Sequence, residues 1–532
     1  MKGLNLLRVN YTLRVFISLF FVSINSIGQP AIEWSYIYGG SSSDKATTIC
    51  NAHNGGFIIG GTTTSQDGGI TDHHVGAGYN IWLDRINNDG LPIWNKSYGS
   101  TSPDEIAKII STNDNGYIFA GTSGSNSVDV TGMYICADVS YWVVKIDSSG
   151  NIEWQKTFGT CGSASGRDII QCSDGGFLVS GSISSGGGDT HDFRGLYDIW
   201  LCKIDENGTM EWNKTLGGSD YEMVSSSIQT SDFGFLITGS TASNDFDVSG
   251  LHGINEDAWV VKIDSNGNIQ WQKCFGGTGT DLARQIIPSG NNGFYLFSTT
   301  YSNDGDVNNN FGNCDFWVIR CDSIGNIQWQ TNYGGNSREV LYSACIDVGG
   351  GFLLTGQVSN DNGMVVGTHG LYDFWVVKID SIGNFIWGKS LGGSDDETPK
   401  KIIQTSDGGF LTLGYSKSND QDVPNNLGIE DFWAVKLASP TTNTIELKNE
   451  IIDFEVFQKD KNIEIKFYSK RNQSAIINIY STAGKNIFSK SISVNSGENN
   501  YNIIISKIAS QVLILEFKGE YEGFSSKIFY SE

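Results

Sequence analysis

The sequence predicts an all-β protein, and three observations lead to that class. The first is a repeat of 58 to 60 residues, marked by two series of tryptophans. The second is the content of each repeat, four short apolar segments rich in β-branched and aromatic residues and bounded by Gly, Asn, Asp and Ser. The third is that no segment of the repeats combines helical periodicity with helical length. Seven copies of such a unit predict a seven-bladed β-propeller with four-stranded antiparallel blades.

The two tryptophan series account for all 14 tryptophans of the chain. The first series is Trp82, Trp142, Trp200, Trp259, Trp317, Trp375 and Trp433. The second series is Trp34, Trp94, Trp154, Trp212, Trp271, Trp329 and Trp387. Aromatic burial between neighbouring units is what holds repeat proteins together. We therefore expect both series to be structural and to pack between blades.

The clearest copy of the unit is Asp373–Lys389, which reads as strand, tight turn, strand. The seventh copy ends after its third strand, at Leu437, and a strand without a blade, at residues 32–36, precedes the first copy. The simplest solution is that this N-terminal strand completes the last blade and closes the ring. Closure hides the strand edges that an open array would expose.

The flanking segments predict four regions. Residues 1–28 have a basic start, an apolar run at 15–22 and small residues before Gln29, which is typical of a secretory signal peptide. Residues 29–438 form the propeller, 439–450 a linker, and 451–532 a small antiparallel β-sandwich. No other stretch approaches the length of a transmembrane helix. We expect a secreted or outer-surface protein that is a monomer.

The net charge of −23 argues against nucleic acid and anionic surfaces as partners. It favours cations or basic partners. The alternative is that the charge serves only the solubility of an exported protein.

The loops that join the fourth strand of one blade to the first strand of the next form one candidate site. Each ends in a carboxylate in this interpretation: Asp44, Asp104, Asp168, Glu222, Asp281, Glu339 and Glu397. If the first strands are innermost, these residues ring the mouth of the central channel and form a ligand-binding face. The alternative is a structural role shared by every blade, in which each carboxylate bonds a backbone N–H or a neighbouring blade.

The loops between the second and third strands repeat a Ser-Asn-Asp-x-Asp-Val pattern. Its carboxylates are Asp245, Asp247, Asp304, Asp306, Asp420 and Asp422. Clustered carboxylates beside backbone carbonyls suit Ca²⁺, which takes 6–8 oxygen ligands. The alternative is that these side chains cap turns by bonding nearby backbone. Calcium is the cofactor that the sequence suggests.

The nine cysteines show no metal-binding spacing. Cys136 and Cys161 lie in the longer loops of two neighbouring blades. A disulfide between them suits an oxidising compartment, and the remaining thiols fit buried strand positions.

The last 80 or so residues carry a resemblance. Ile476–Lys485, the strand Val512–Phe517 and a final Ser-Lys-Ile-Phe strand resemble the C-terminal sorting domain of type IX secretion substrates, although Gln511-Val512-Leu513 stands where such domains carry Gly-Val-Tyr. The resemblance implies the secretion machinery as a partner and passage across an outer membrane. The Lys-Ile-Asp-x-x-Gly-x-x-x-Trp turn is similar to the tryptophan-docking turn of quinoprotein propellers, which implies packing only.

Catalytic signatures such as GxSxG, HExxH or a P-loop are missing from the sequence. The sequence therefore favours a non-enzymatic binding module that takes a protein or glycan through its acidic loop face. The alternative is a secreted hydrolase or lyase that acts on a polysaccharide at the channel mouth.

Overall fold

The computed structural model describes residues 29–70, 78–190 and 192–439, and the ranges 451–459, 462–469, 472–481, 486–504, 511–519 and 523–530. The predicted signal peptide and nearly all of the predicted linker lie outside these residues. The described residues belong to two compact units, one within residues 27–441 and one within residues 442–532.

The described part of the first unit contains 28 strands and one short 3₁₀ helix at Gly290–Asn292. The strands in chain order are β1 (Ile32–Tyr38), β2 (Asp44–Asn51), β3 (Phe57–Thr63), β4 (Asn80–Ile86), β5 (Pro92–Tyr98), β6 (Asp104–Ser111), β7 (Tyr117–Ser123), β8 (Ser140–Ile146), β9 (Ile152–Phe158), β10 (Ala164–Gln171), β11 (Phe177–Ile183), β12 (Asp198–Ile204), β13 (Met210–Leu216), β14 (Glu222–Gln229), β15 (Phe235–Thr241), β16 (Asp257–Ile263), β17 (Ile269–Phe275), β18 (Asp281–Pro288), β19 (Phe294–Thr300), β20 (Asp315–Cys321), β21 (Ile327–Tyr333), β22 (Glu339–Ile346), β23 (Phe352–Val358), β24 (Asp373–Ile379), β25 (Phe385–Leu391), β26 (Glu397–Gln404), β27 (Phe410–Ser416) and β28 (Asp431–Leu437). Within the described residues, no helix is long and apolar enough to cross a membrane.

These strands form seven four-stranded antiparallel sheets, which confirms the predicted propeller. Blades 1 to 6 are consecutive sets of four strands, from β2–β5 to β22–β25, and blade 7 is β26–β27–β28–β1. Strand β1 pairs antiparallel with β28, with Tyr36 opposite Ala434 and Tyr38 opposite Phe432. The predicted closure of the ring by the N-terminal strand is therefore confirmed.

The first tryptophan series is buried between blades. Trp82 is 2% exposed, and the other six are fully buried. Each packs on the third strand of the preceding blade, as Trp433 does on Phe374, with ring centroids 4.6 Å apart. The series therefore supplies much of the apolar contact between blades.

Six tryptophans of the second series, all but Trp387, sit over the turns between third and fourth strands. Those turns place a glycine at a φ of 79 to 87° in blades 1 to 6. A Cβ on Gly383 would lie 2.7 Å from the Trp329 ring, so the indole of one blade packs directly on the turn glycine of the next. The repeated Asp-x-x-Gly turn thus serves both the hairpin and the contact between blades.

The second unit contains seven strands in two antiparallel sheets, ordered β29-β30-β33 and β32-β31-β34-β35. They are β29 (Ile451–Lys459), β30 (Asn462–Ser469), β31 (Gln473–Ser481), β32 (Asn486–Val494), β33 (Gly497–Ile504), β34 (Gln511–Gly519) and β35 (Gly523–Tyr530). Ile465 and Phe467 of one sheet share a buried apolar cluster with Ile477 and Ile479 of the other. The alternating pattern of these strands buries one face of each sheet.

Candidate ligand site in the central channel

The innermost strand of every blade carries a β-bulge at the same place. The register of each first strand with its second strand shifts around one residue, three positions after the strand begins. The bulge residues are Thr47, Ala107, Arg167, Ser225, Arg284, Tyr342 and Lys400. A bulge re-aims a side chain that regular pleating would direct elsewhere.

All seven bulge residues line one cavity of about 360 Å³ in the middle of the ring. Its volume lies within the usual range of ligand pockets. Thr62, Thr122 and Tyr415, from the ends of second strands, also line it. Because second strands end at the face that carries the long loops, the cavity lies towards that face of the propeller.

The cavity wall is cationic although the protein is acidic. Five lining residues carry positive charge and one carries negative charge: Lys45, Arg167, Arg284, Lys400 and Lys401, against Glu105. Within the described residues, Arg284, Lys400 and Lys401 make no ion pair with a carboxylate, and Nε of Arg284 is buried without a hydrogen-bond partner. Unpaired cations in a cavity repel one another and attract an anion.

Cations and tyrosines alternate along one arc of the wall, from blade 5 through blades 6 and 7 to blade 1. Arg284 lies 5.8 Å from the Tyr342 ring centroid, and Lys400 lies 4.8 Å from the same centroid on the other side. Lys400 also lies 5.6 Å from Tyr415, whose ring is 5.8 Å from Lys45. The rings stabilise the charges without neutralising them.

Burial and mutual repulsion change the protonation of the two lysines. Burial, followed by the charges of Arg284, Lys45 and Lys401, lowers the pKa of Lys400 to about 8. Burial, with a contribution from Lys108, also lowers the pKa of Lys401 to about 8, although Asp168 opposes that change. Burial raises the pKa of Tyr342, so its hydroxyl stays protonated at neutral pH.

The carboxylates proposed from the sequence as a ring at the mouth are buried, at 0 to 2% exposure. Six of them begin a first strand and accept a hydrogen bond, 2.6 to 2.9 Å long, from the backbone N–H four residues earlier. They are Asp44, Asp104, Glu222, Asp281, Glu339 and Glu397. These backbone hydrogen bonds are the contacts that the structural alternative describes.

Asp168 corrects the expectation that every blade places a carboxylate at this position. Strand β10 begins at Ala164, and Asp168 lies four residues further along, beyond the bulge. Its Oδ1 pairs with Lys108 Nζ at 2.5 Å, and its Oδ2 accepts a hydrogen bond of 2.7 Å from the N–H of Ser227 in the next blade. In blade 3 no carboxylate begins the first strand. Asp168 precedes the apolar run of that strand, and the sequence pattern therefore assigned it to the wrong position.

The boundary where that carboxylate is missing carries a covalent link instead. The structure joins Cys136 of the loop between β7 and β8 to Cys161 of the loop before β10, with Cα atoms 4.7 Å apart. The disulfide connects blades 2 and 3. The other seven cysteines are free thiols that are buried or half-buried.

The aspartates of the repeated loop pattern act as turn caps. Oδ1 of Asp245, Asp304 and Asp420 accepts a hydrogen bond of 2.7 to 2.8 Å from a backbone N–H of the adjacent loop. Oδ2 of Asp247, Asp306 and Asp422 accepts a longer one, of 3.3 to 3.4 Å. Among the described residues, no group of three or more His, Cys, Asp or Glu side chains is arranged to hold a metal ion. Calcium binding and turn capping remain the two alternatives for these loops, and a melting experiment decides between them.

The basic channel was missed from the sequence, yet a signal for it is present. Aligned by their first strands, the seven copies repeat nearly every framework position but diverge at the bulge position, which reads Thr, Ala, Arg, Ser, Arg, Tyr and Lys. A position shared by all blades serves the ring, whereas a position that differs in each blade can build one asymmetric site. The sequence does not show that this position faces the channel.

The chain is similar to several solved structures at low identity. One described as YCF48 bound to D1 peptide is 8% identical, covers 77% of this chain and 98% of its own, and has a TM-score of 0.38. A DUF4221 family member from Bacteroides vulgatus is 10% identical over 62% of this chain and 92% of its own, with a TM-score of 0.29. The Pan2 WD40 domain of Neurospora crassa is 12% identical over 59% of this chain and 86% of its own, with a TM-score of 0.33. Similarity at this level carries no information about ligand or activity. No protein-family model and no curated protein matches the sequence.

Proposed function

We propose that the protein is an exported, non-enzymatic binding module that holds an acidic oligosaccharide in its central channel. The observation that carries the proposal is the asymmetry of the bulge positions. Arg284, Tyr342 and Lys400 lie in the consecutive blades 5 to 7, whereas the small residues Ala107 and Ser225 flank Arg167 in blades 2 to 4. A framework role would repeat the same residue in each blade, as the buried carboxylates nearly do.

The chemistry of the lining favours an acidic sugar. Lysine and arginine bind carboxylate or sulfate groups through charge-assisted hydrogen bonds. Thr62, Thr122 and Ser225 add hydroxyl groups to the cavity lining, and these match sugar hydroxyls as donors and acceptors. This proposal replaces the acidic loop face as the binding surface, because its carboxylates are engaged in backbone hydrogen bonds.

Titration calorimetry with uronate and sulfated oligosaccharides, a neutral oligosaccharide and poly-glutamate tests the proposal. We expect the acidic sugars to bind and their affinity to fall with salt. Arg284→Ala and Lys400→Ala should each weaken binding about tenfold or more, since a lost charge-assisted hydrogen bond costs about 1.5–3 kcal/mol. Lys417→Ala is the matched control, because Lys417 pairs with Asp396 at 3.1 Å and does not line the cavity.

If poly-glutamate binds and the acidic sugars do not, the ligand of the site is an acidic peptide. Equal binding of the neutral sugar, or no effect of the two channel substitutions, would contradict an anion site.

A second candidate, a polysaccharide lyase, is favoured by one specific observation. The protonated Tyr342 lies between Arg284 and Lys400, and the pKa of Lys400 is lowered to about 8. With a uronate bound, the neutral Lys400 amine would take the proton next to the carboxylate, and Arg284 would stabilise the charge that develops there. The electrons of the C–H bond form a C=C bond, the glycosidic C–O bond breaks, and the leaving oxygen takes the hydroxyl proton of Tyr342.

Elimination needs no water, and it creates a C=C bond conjugated to the carboxylate that absorbs ultraviolet light. A rise in absorbance with a uronate polymer, abolished in Lys400→Ala, would establish a lyase. Binding without any rise would leave the protein a binding module. The hydrolase alternative has less support, because Glu105 is the only carboxylate among the cavity-lining residues, and glycosidases use two.

The export part of the proposal rests on the sequence of the two ends. We expect a mature chain that begins at Gln29 and reaches the cell surface or the medium through its C-terminal unit. N-terminal sequencing of the exported protein checks the cleavage point. Deletion of residues 451–532 should retain the propeller behind the outer membrane, and unchanged export of that variant would contradict the type IX route.

A further inference from the structure

A second repeated feature lies away from the channel wall, where neighbouring blades meet on the loop face. Every boundary contains the same backbone hydrogen bond. The residue that begins the first strand of one blade donates its N–H to the carbonyl of the residue just before the third strand of the preceding blade. Glu339 N bonds Cys314 O at 2.9 Å, and Asp44 N bonds Glu430 O at 2.7 Å. This bond brings the first residue of the third strand beside the first residue of the next blade's first strand.

At five of the seven boundaries both of these residues are acids. The carboxyl pairs are Asp431 with Asp44, Asp198 with Glu222, Asp257 with Asp281, Asp315 with Glu339, and Asp373 with Glu397. All ten side chains are buried, at 0 to 1% exposure. The two remaining boundaries pair Asn80 with Asp104 and Ser140 with Ala164.

The two carboxyl groups of a pair converge over one glycine. A Cβ on Gly276 would lie 2.5 Å from Asp281 Oδ2 and 2.7 Å from Asp257 Oδ1. The glycines of the other four pairs, Gly39, Gly217, Gly334 and Gly392, are covered by both partners in the same way. The two carboxyl groups of each pair therefore lie close together above the glycine, and a side chain at the glycine would push them apart.

The backbone donors at these sites leave one oxygen of each third-strand aspartate without a partner. In the pair between blades 5 and 6, Phe311 N donates to Asp315 Oδ2 at 2.7 Å, and Gly335 N donates to Glu339 Oε2 at 2.8 Å. Asp315 Oδ1 and Glu339 Oε1 are buried with no hydrogen-bond partner. The same holds for Oδ1 of Asp198, Asp257, Asp373 and Asp431. Two unpaired buried anions side by side are costly, and one proton removes a charge and supplies the missing donor.

The groups that face the pairs differ between boundaries. The backbone and charge of Arg194 lie next to Asp198, His252 Nδ1 lies 2.7 Å from Asp257 Oδ2, and His369 Nδ1 lies 3.5 Å from Asp373 Oδ2. The other two pairs have no cation in contact among the described residues. Lys45 pairs with Glu430 at 2.8 Å, beside Asp44, and Arg338 lies beside Tyr301. Cys314 and the amide of Asn332 complete the surroundings of Asp315 and Glu339.

We propose that the five carboxyl pairs hold shared protons and together form a pH-sensitive clamp between blades on the loop face. Burial, with the like charge of the partner, raises the pKa of Glu339 and of Asp431 to about 7. Burial also raises the pKa of Asp315 and of Asp198 to about 6. The two pairs that have no cation in contact thus include the carboxyl groups with the largest rises in pKa. This is expected if only a proton neutralises these two pairs.

The direction of the pH effect follows from linkage. An acid whose pKa is higher in the folded state binds more protons there than in the unfolded state. Stability is therefore greatest near the unfolded pKa, about 4, and is lost as the pH rises through about 6 to 7. The clamp requires no ligand in the channel, so it stands or falls separately from the proposed function.

Thermal unfolding of the full chain at pH 5 and at pH 8, at constant ionic strength, tests the clamp. Tryptophan fluorescence reports the propeller alone, because all 14 tryptophans lie in it. We expect a higher Tm at pH 5. Glu339→Gln and Asp431→Asn place a permanent amide donor where the proton would sit. Each should reduce the fall in Tm, and the double variant should reduce it by about the sum of the two, because the two residues belong to separate pairs.

Glu206→Gln is the matched control, since Glu206 is exposed, belongs to no carboxyl pair and does not line the cavity. Its pH dependence should equal that of the wild type. A Tm that is equal or higher at pH 8, or an unchanged pH dependence in the double variant, would overturn the proposal. A further experiment exchanges the buffer salt at pH 8 for sodium, potassium or calcium chloride. If the Tm then rises to its pH 5 value, a cation and not a proton neutralises the pairs, and the proposal is overturned as well.

Infrared spectroscopy of the wild type keeps the test valid if the variants fail to fold. Shared protons predict a band of protonated carboxyl groups that persists at pH 6 in the native protein and vanishes on unfolding. A native spectrum at pH 6 with ionised carboxylates alone would refute the clamp.

Discussion

The charge on Lys400 and Lys401 decides how strongly the channel attracts an anion. Both have a pKa of about 8, because burial and neighbouring cations disfavour the ammonium form. An anion favours the charged form, so we expect affinity for an acidic oligosaccharide to fall as the pH rises from 7 to 9. Calorimetry across that range measures it. Lys400→Arg should flatten the profile, because arginine stays charged. A profile equally steep in that variant would exclude Lys400 as the titrating group.

Asp168 is a buried carboxylate whose charge acts on Lys401 of the channel wall. It pairs with Lys108 and accepts the N–H of Ser227, so it links blades 2, 3 and 4. Asp168→Ala leaves a half-buried lysine and a buried N–H unpaired, and we expect a loss of about 3 kcal/mol in the free energy of unfolding. Urea unfolding followed by tryptophan fluorescence measures it. Asp168→Asn keeps the acceptor for Ser227, so its loss in the free energy of unfolding should be smaller. Equal losses in the two variants would assign the whole effect to the ion pair with Lys108.

At the scale of the element, strand order and turns could be read from the sequence, and the bulges could not. Trp387 and the Asp380–Gly383 turn identify a hairpin, since local residue types determine local geometry. Tyr342 and Lys400 face the channel because each is the one unpaired residue of a bulge. A bulge adds a single residue and leaves the apolar pattern of the strand almost unchanged, so the sequence does not reveal it. The same limit misplaced Asp168, because Ala164 gives no sign of beginning a strand.

The loops between second and third strands allow a direct decision between turn caps and calcium. Asp420 Oδ1 accepts the N–H of Ser394, and Asp304 Oδ1 accepts that of Thr278. We expect the wild-type Tm to be the same in EDTA and in millimolar calcium. Asp420→Ala should lower Tm slightly in both conditions, and Asp420→Asn should lower it less, because an amide oxygen still accepts the bond. A rise in the wild-type Tm with calcium that Asp420→Ala abolishes would establish a metal site instead.

At the scale of the whole molecule, the repeat creates a symmetric ring and a few positions make it asymmetric. The tryptophans, the turn glycines and the buried carboxyls repeat because each blade needs the same contacts with its neighbours. The period of these residues made the seven blades and the closure by β1 predictable. The bulge residues have no such constraint, so their differences reflect what the channel holds. Seven near-identical copies within one chain thus separate framework residues from site residues.

Closure by β1 is the contact that converts a row of blades into a ring. Strand β1 supplies the fourth strand of blade 7, and Ser35 accepts the indole N–H of Trp433 at 2.9 Å. Deletion of residues 29–38 would leave the edge of β28 unpaired and the indole of Trp433 without its acceptor. We expect that variant to lose the cooperative melting transition of the propeller and to self-associate through the open edge, which melting and size-exclusion chromatography will show. Deletion of residues 451–532 is the control, because the strand pairing of the ring involves no residue beyond β28. If the variant without β1 melts as the wild type does, contacts between blades suffice to hold the ring, and β1 serves only to cover an edge.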